Sequence, residues 1–370
     1  MRLIEHVKPR INTQLPAKDY AMATAPLMPA EQIIPPRGCT FDPEDWAILS
    51  RFWYPVCLAR EVGGKPIGTR LLDQPIVIYR AGDEVVVAPD ICPHRGVPLS
   101  MGTQGAQGVV CAYHGLSFGK GGRCVHVPAS PARDIPARLH LAPYPSIERY
   151  GLIWTCLNPG DGAPAIPPMP HWDEPEFQQI TCPSTDIMGF AGRQVEGFLD
   201  VAHFAFVHTE TFADPDNAQV PQYTPKRTTD GFEAEYWSSV GNYPREAGKV
   251  DDDFRWLRHF RCHLPFTATL EIHFPGADRL VIMNAASPVS ARHTRMFAPI
   301  ARNFDTDGDV QAVYDFNQRV FDEDKALVEA QVPASLPLDP MEEAHIPADM
   351  SSMAYRRGLK ALGLGRFFPA

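Results

Sequence analysis

The chain has 370 residues, 44% of them hydrophobic, and its 34 Lys and Arg against 44 Asp and Glu give a formal net charge of −10. That length exceeds one ordinary domain and the apolar content suffices for two cores, while the negative balance argues against nucleic acid or an acidic membrane surface as partner. No stretch approaches the about 20 apolar residues of a membrane span. The opening segment MRLIEHVKPRINTQLPAKDY has scattered charges and no apolar signal core, which points to the cytoplasm. There the eight cysteines do not imply disulfides.

In chain order, residues 1–44 read as an extended N-terminal arm of weak periodicity, with IIPPRG near its end. Residues 45–160 carry short alternating segments, PIVIYRAG and DEVVVAPD among them, and read as a small antiparallel domain. Two ligand pairs sit in it, Cys92 with His94 in CPHRG and Cys111 with His114 in CAYHG, with sixteen residues between His94 and Cys111. The segment VVCAYHGLSF predicts a strand running into a loop tip, and two such loops can pinch a cluster between them. Thiolates hold ferric iron and imidazoles favour the more reduced metal, so two Cys on one iron and two His on the other describe a Rieske 2Fe-2S centre. The competing reading is a zinc site, which also accepts two Cys and two His at short spacing. Cys39, Cys57, Cys124, Cys156, Cys182 and Cys262 read as buried or incidental thiols. The run NPGDGAPAIPPMPHW is a linker.

Residues 161–370 read as strand-rich with a few helices. The segment QVEGFLDVAHFAFVH holds Glu196, Asp200, His203 and His208. On an ideal helix His203 lies about 60° from Asp200 and shares its face, while the five-residue step carries His208 about 140° from His203. Both imidazoles reach one metal only if the helix ends or widens between them. Such a pair needs one carboxylate to complete the facial triad of non-haem Fe(II), which leaves positions open for oxygen.

That carboxylate is sought in DVQAVYDFNQRVFDEDKALVEAQ, where Val310, Val313, Tyr314, Val320, Phe321, Leu327 and Val328 form a helical apolar stripe. Asn317, Asp324 and Gln331 fall on the stripe, whereas Asp322 and Glu329 point away. A carboxylate on an apolar face is costly unless a metal or partner compensates it, which makes Asp324 the third ligand and Asp322 the fallback. FTATLEIHF alternates as a strand with Phe266, Ala268, Leu270, Ile272 and Phe274 on one face and Thr267, Thr269, Glu271 and His273 on the other.

These motifs together resemble the oxygenase alpha subunit of a Rieske non-haem iron oxygenase over nearly the whole chain. EGFLDVAHFAFVH looks like the motif Asp-x-x-His-x-x-x-x-His, and EDKALVEAQ like the late ligand helix. The respiratory Rieske branch carries two further cysteines at positions that here are Val97 and Tyr113, so the bracing disulfide is missing and a lower-potential centre is implied. GKPIGTRLLDQPIVIYR, GRCVHVPA and RYGLIWTCL are similar to the short single-subunit enzymes that demethylate vanillate, dicamba and methylxanthines. Gly197 stands where many relatives have Asn.

The resemblance implies an α+β architecture, an all-β Rieske domain followed by a helix-grip catalytic domain. It implies a 2Fe-2S cluster, a mononuclear Fe(II), electrons from NAD(P)H through a reductase or ferredoxin, and hydroxylation or N- or O-demethylation of a small aromatic or heterocyclic compound with O2. A head-to-tail homotrimer is implied as well, with Asp200 bridging His114 of the neighbour to His203. The alternatives are a ring cis-dihydroxylating dioxygenase and a Rieske electron carrier without oxygenase activity.

Other residues read as unremarkable. His259 and His263 fall on a polar strand side as exposed or pocket-rim residues, and His126, His140 and His171 have no motif around them. Asp251, Asp252 and Asp253 read as a solvated turn. Asn284 is open between a substrate contact and a structural hydrogen bond.

Overall fold

A computed structural model describes residues 34–160, 165–213, 215–238 and 254–365. Most of the expected N-terminal arm, part of the linker and the acidic run Asp251 to Asp253 lie outside the described residues. Helix α1 (Pro43–Leu49) starts where Asp42 accepts the Glu44 amide, with Pro43 supplying a ready-made helical φ at the first turn. An arm ending at residue 44 therefore stops inside this helix.

The region that follows is built from three small antiparallel sheets. One pairs Tyr54–Leu58 with Leu152–Thr155 and Ser146–Arg149, and a second is the meander Ile67–Leu71, Gln74–Ala81, Glu84–Pro89. The third runs Thr103–Gly105, Gly108–Val110, Ser117–Phe118, Cys124–His126. The predicted strands of PIVIYRAG and DEVVVAPD are the last two of the meander. Val77, Tyr79, Val86, Leu99, Val109 and Phe118 fill a compact core beneath the Cys92 and Cys111 loops.

The remainder is a nine-stranded antiparallel sheet whose main path is Gln178–Thr181, Pro299–Arg302, Arg279–Ser290, Thr267–His273, Trp256–His263, Gly231–Ser238 and Lys226–Arg227. Thr185–Ile187 and His293–Phe297 complete it off that path. Helix α2 (Ala191–Leu199) lies against the central strands Thr267–His273 and Arg279–Ser290, and the long helix α4 (Val310–Ala330) packs on α2 and on Thr185–Ile187. The α+β expectation is met, with the short α2 on the central strands and the long α4 reaching the sheet at Thr185–Ile187. The short helix α3 (Phe204–Val207) follows α2 in the chain, and α5 (Met350–Ala361) packs on α2 and on Gly231–Ser238.

The expected polar face of FTATLEIHF is itself buried. Thr267, Thr269 and Glu271 are covered, because neighbouring Val281, Met283 and Phe297 form a second apolar layer there with Trp172 and Phe177. On α4, Val310, Val313, Tyr314 and Val320 are half-buried against the core as the stripe expects, but its C-terminal end needs correction. Only Asn317, Phe321 and Val328 are buried, while Leu327 is 51% exposed and Gln331 is the exposed C-cap. The buried line steps by four and seven residues, and Leu327 stands about 100° around the helix from Val328.

The two halves of the fold share one core, which runs from Leu49, Tyr54 and Ile78 into Phe190, Phe266 and Tyr355. The meander is fastened to the large sheet at its first hairpin. Leu72 and Asp73 form a two-residue turn with φ of 51° and 64°, a shape that suits the twist of the flanking strands but disfavours side chains. Cross-domain bonds hold it. Leu72 N–H donates to Pro288 O at 2.7 Å and Asp73 N–H to Val289 O at 2.9 Å, while the Asp73 carboxylate accepts both the amide and hydroxyl of Thr40.

Candidate metal centres

The two Cys-His loops are built alike. Cys92 N–H donates to Val97 O and Cys92 O accepts Gly96 N–H, and in the second loop Cys111 pairs with Leu116 and Gly115 in the same way. Each turn closes through a glycine in the left-handed region, Gly96 at φ 73° and Gly115 at φ 68°, where a side chain is disfavoured. The arrangement sorts the donors by type. Cys92 and Cys111 are buried, and burial together with the neighbouring Cys111 raises the Cys92 thiol. His94 and His114 are exposed at the tip with ring centroids 4.5 Å apart, and Tyr113 lies over His114 at 3.8 Å.

A single zinc ion draws its four donors around one point. Here the thiols are buried and the imidazoles exposed, so the donors are sorted into two pairs of unlike type. A thiolate pair inward and an imidazole pair outward is the donor set of a 2Fe-2S cluster with chemically distinct irons.

A closely drawn group is His203, His208 and Asp324, whose ligand atoms lie within 4.8 Å of one another. The helix does end, and it ends before the histidines. Helix α2 stops at Leu199, Asp200 caps it in extended conformation, and α3 starts afresh with His203 at its N-cap and His208 at its C-cap. The shared helical face expected of Asp200 and His203 is thus absent. Their contact comes from the turn between the helices, where Asp200 Oδ1 accepts the Ala202 amide and Oδ2 lies 3.5 Å from His203 Nδ1.

Three separations define the site. The two Nε2 atoms are 3.1 Å apart, and Asp324 Oδ1 lies 3.4 Å from His203 Nε2 and 3.1 Å from His208 Nε2. Adjacent corners of an octahedral ion with bonds of about 2.0–2.2 Å are about 2.8–3.1 Å apart. Two edges lie at the top of that range and the His203–Asp324 edge is longer, so the triangle approximates one face of such an ion and leaves the opposite face to other ligands. Charge agrees with this fit. Burial opposes protonation of His203, yet its hydrogen bonds to Asp200 and Asp324 raise it to about 9. Burial likewise opposes ionisation of Asp324, but the two histidines hold it below the usual carboxylate range. Both shifts express the same buried pairing of imidazole and carboxylate.

Asp322 is exposed and accepts from Gln318. Glu196 turns away from the site into a buried pair with Arg356, at 2.6 and 2.8 Å. Sequence reasoning missed Glu323, whose Oε2 lies 2.7 Å from His208 Nδ1 and accepts the Thr211 hydroxyl at 2.9 Å. The apolar periodicity of α4 gave no signal for it, because it lies off the buried line of Asn317, Phe321 and Val328. His263 is buried, with Nδ1 2.6 Å from Asp230, and lines a cavity of about 280 Å³ with Trp53 and Phe266. Of its expected alternatives the exposed one is corrected, because the strand's outer side is roofed at that end. His259 pairs with Glu233, His171 stacks on Phe177 and His140 accepts the Cys124 amide. Asn284 is buried and donates to Met296 Sδ.

With this geometry, comparison with known proteins is informative. Residues 52–145 match the Rieske [2Fe-2S] domain and residues 192–364 the vanillate O-demethylase oxygenase C-terminal domain. The methylxanthine N1-demethylase of Pseudomonas putida is 32% identical over 321 residues, covering 85% of this chain and 89% of its own. The dicamba O-demethylase oxygenase component of Stenotrophomonas maltophilia is 39% identical over 165 residues, 42% of this chain and 46% of its own. The caffeine-bound structure of the Pseudomonas putida N1-demethylase superposes with a TM-score of 0.73 at 28% identity, over 88% of this chain and 98% of that one. Members of this family work with a reductase or ferredoxin, O2 and a small-molecule substrate. The chain belongs to the Rieske non-haem iron oxygenases, as an oxygenase component that uses a 2Fe-2S cluster and a mononuclear iron.

Proposed function

We propose that this oxygenase removes N- or O-methyl groups from a small aromatic or heterocyclic compound, with electrons from NAD(P)H arriving through a reductase or ferredoxin. Cys92, His94, Cys111 and His114 hold the cluster, and His203, His208 and Asp324 hold the iron. The carrying observation is the triangle of these last three donors, which presents two imidazoles and one carboxylate to a single ion and leaves room for O2. Two methylxanthine demethylases, specific for N1 and N3, align over 85% and 87% of this chain, and this likeness supports demethylation. The proposed organisation is an N-terminal arm that ends ahead of α1, a cluster unit from α1 to residue 160 and an iron unit over 161–370, in a cytoplasmic homotrimer. No helix of the described residues is long and apolar enough to cross a membrane.

When bound, the cluster relays single electrons and the iron activates O2. The chain supplies orientation, exclusion of water and an electron path. Phe204 and Phe212 wall the site, with Phe212 stacked on His208 at 4.7 Å. Asp200 stays a third exposed beside His203, which suits it to bridge His203 to His114 of the partner subunit. Exposed apolar Tyr113 at the cluster tip and Phe206 on α3 supply contact surface for a head-to-tail assembly. One oxygen atom of O2 enters the substrate methyl group and the other leaves as water, with two electrons and two protons consumed. The resulting hemiaminal or hemiacetal loses formaldehyde without a second site.

The test is a single turnover of chemically reduced protein with O2 and a panel of methylated and unmethylated aromatics and heterocycles. Formaldehyde appearing with a demethylated product supports the proposal. A product gaining two hydroxyls moves the reaction to dihydroxylation, and no oxygenated product with only two irons per chain reduces the protein to an electron carrier.

A further inference from the structure

Resting on His208 as an iron ligand, we infer that Glu323 is the positioning residue that fixes this ring for metal binding, and that its task is separate from that of Asp200. His208 is only 1% exposed and is held on every side. Glu323 Oε2 lies 2.7 Å from Nδ1, Asp324 Oδ1 lies 3.1 Å from Nε2, and the Phe212 ring stacks on its face with 28° between planes. Two consecutive residues of α4 thus address the two nitrogens of one imidazole.

An ionised carboxylate only accepts hydrogen bonds. Glu323 therefore requires the proton on Nδ1 and leaves the Nε2 lone pair facing Asp324 and His203, the form an ion binds. The Thr211 hydroxyl, donating to the same Oε2 at 2.9 Å, sets the carboxylate's own orientation from the turn that follows His208. Asp200 differs in kind. It lies 3.5 Å from His203 Nδ1 with its side chain 33% exposed, a looser contact that remains open to a partner, whereas the Glu323 contact is short and faces inward. Removing the Glu323 acceptor should loosen iron without touching the path by which electrons arrive.

The experiment uses the full chain loaded with iron at both centres and follows release of the mononuclear iron to a competing chelator, with the cluster's visible spectrum as the check on fold. Glu323→Ala should release this iron about 10–100-fold faster, the usual scale for losing a hydrogen-bond partner of a metal-bound histidine. Glu323→Gln, whose amide oxygen still accepts from Nδ1, should stay close to the parent, and Thr211→Val should speed release by a smaller factor than Glu323→Ala. The inference is overturned if Glu323→Ala holds iron like the parent, or if Glu323→Gln is as leaky as Glu323→Ala. Should Glu323→Ala fail to carry a cluster, parent-like release in Thr211→Val overturns it and faster release upholds it. His208→Ala separates this inference from the assignment beneath it, because iron retained in that variant removes His208 as a ligand, whatever Glu323 does.

Discussion

The loops proposed to hold the cluster and the triangle proposed to hold the iron bring their donors together by opposite means. In the loops each ligand pair spans three or four residues and a hairpin tip with one left-handed glycine places it, so local backbone geometry does the work. In the triangle His203 and Asp324 are 121 positions apart, and they meet only because α4 packs on α2 and the turn after it. The first kind of site is written in short-range conformation and the second in tertiary packing, which makes the second more dependent on distant contacts.

The contrast breaks most sharply at the ligands themselves. His208→Ala should lose the mononuclear iron and all turnover while keeping the cluster's visible spectrum, and Cys111→Ser should do the reverse, losing the cluster while iron still binds at the triangle. Metal analysis of the two purified variants reads this directly, and joint loss of both metals in either one would mean that the centres are not independently built. A smaller effect belongs to the link between them. Asp200→Asn should retain both metals yet turn over about 10–100-fold more slowly. Parent-like single-turnover rates in that variant would remove Asp200 from the electron path.

The dependence of the triangle on remote packing is probed at Arg356. Its guanidinium pairs with Glu196 of α2 and Glu343, both within hydrogen-bonding distance, and Arg193 joins the same network. Breaking such a buried group from one side costs about 3–5 kcal/mol, and Arg356→Met should show this as a lowered denaturation midpoint. Iron release should accelerate in step, since α2 leads into the His203 turn, while the cluster spectrum persists to higher denaturant. Asp322→Asn should be smallest of all, within about 0.5 kcal/mol of the parent and with unchanged iron content, as expected of an exposed side chain. Iron loss there would exchange the roles of Asp322 and Asp324.

The same contrast explains what the sequence discloses. The spacing of Cys92 with His94 and of Cys111 with His114 carries its own geometry, so that centre is readable without a fold. The His203 and His208 spacing shows that a regular helix is insufficient, but it does not say that the break falls at Asp200. Asp324 emerges from helical phase, whereas Glu323 does not, because an acid next to a ligand carries no periodic signal and its value depends on the Thr211 turn. Leu327 misleads because an apolar residue beside a buried line looks like part of it. Thr269 and Glu271 mislead in the other direction, since alternation reports one covered face and is silent on whether the second is roofed.

The Leu72 and Asp73 turn, clamped onto Pro288, Val289 and Thr40, has a mechanical consequence. It acts as a rivet between the meander and the large sheet, and the shared core runs through the same seam. Within one chain, the distance between the two sites is thereby tied to this clamp and to the core around it.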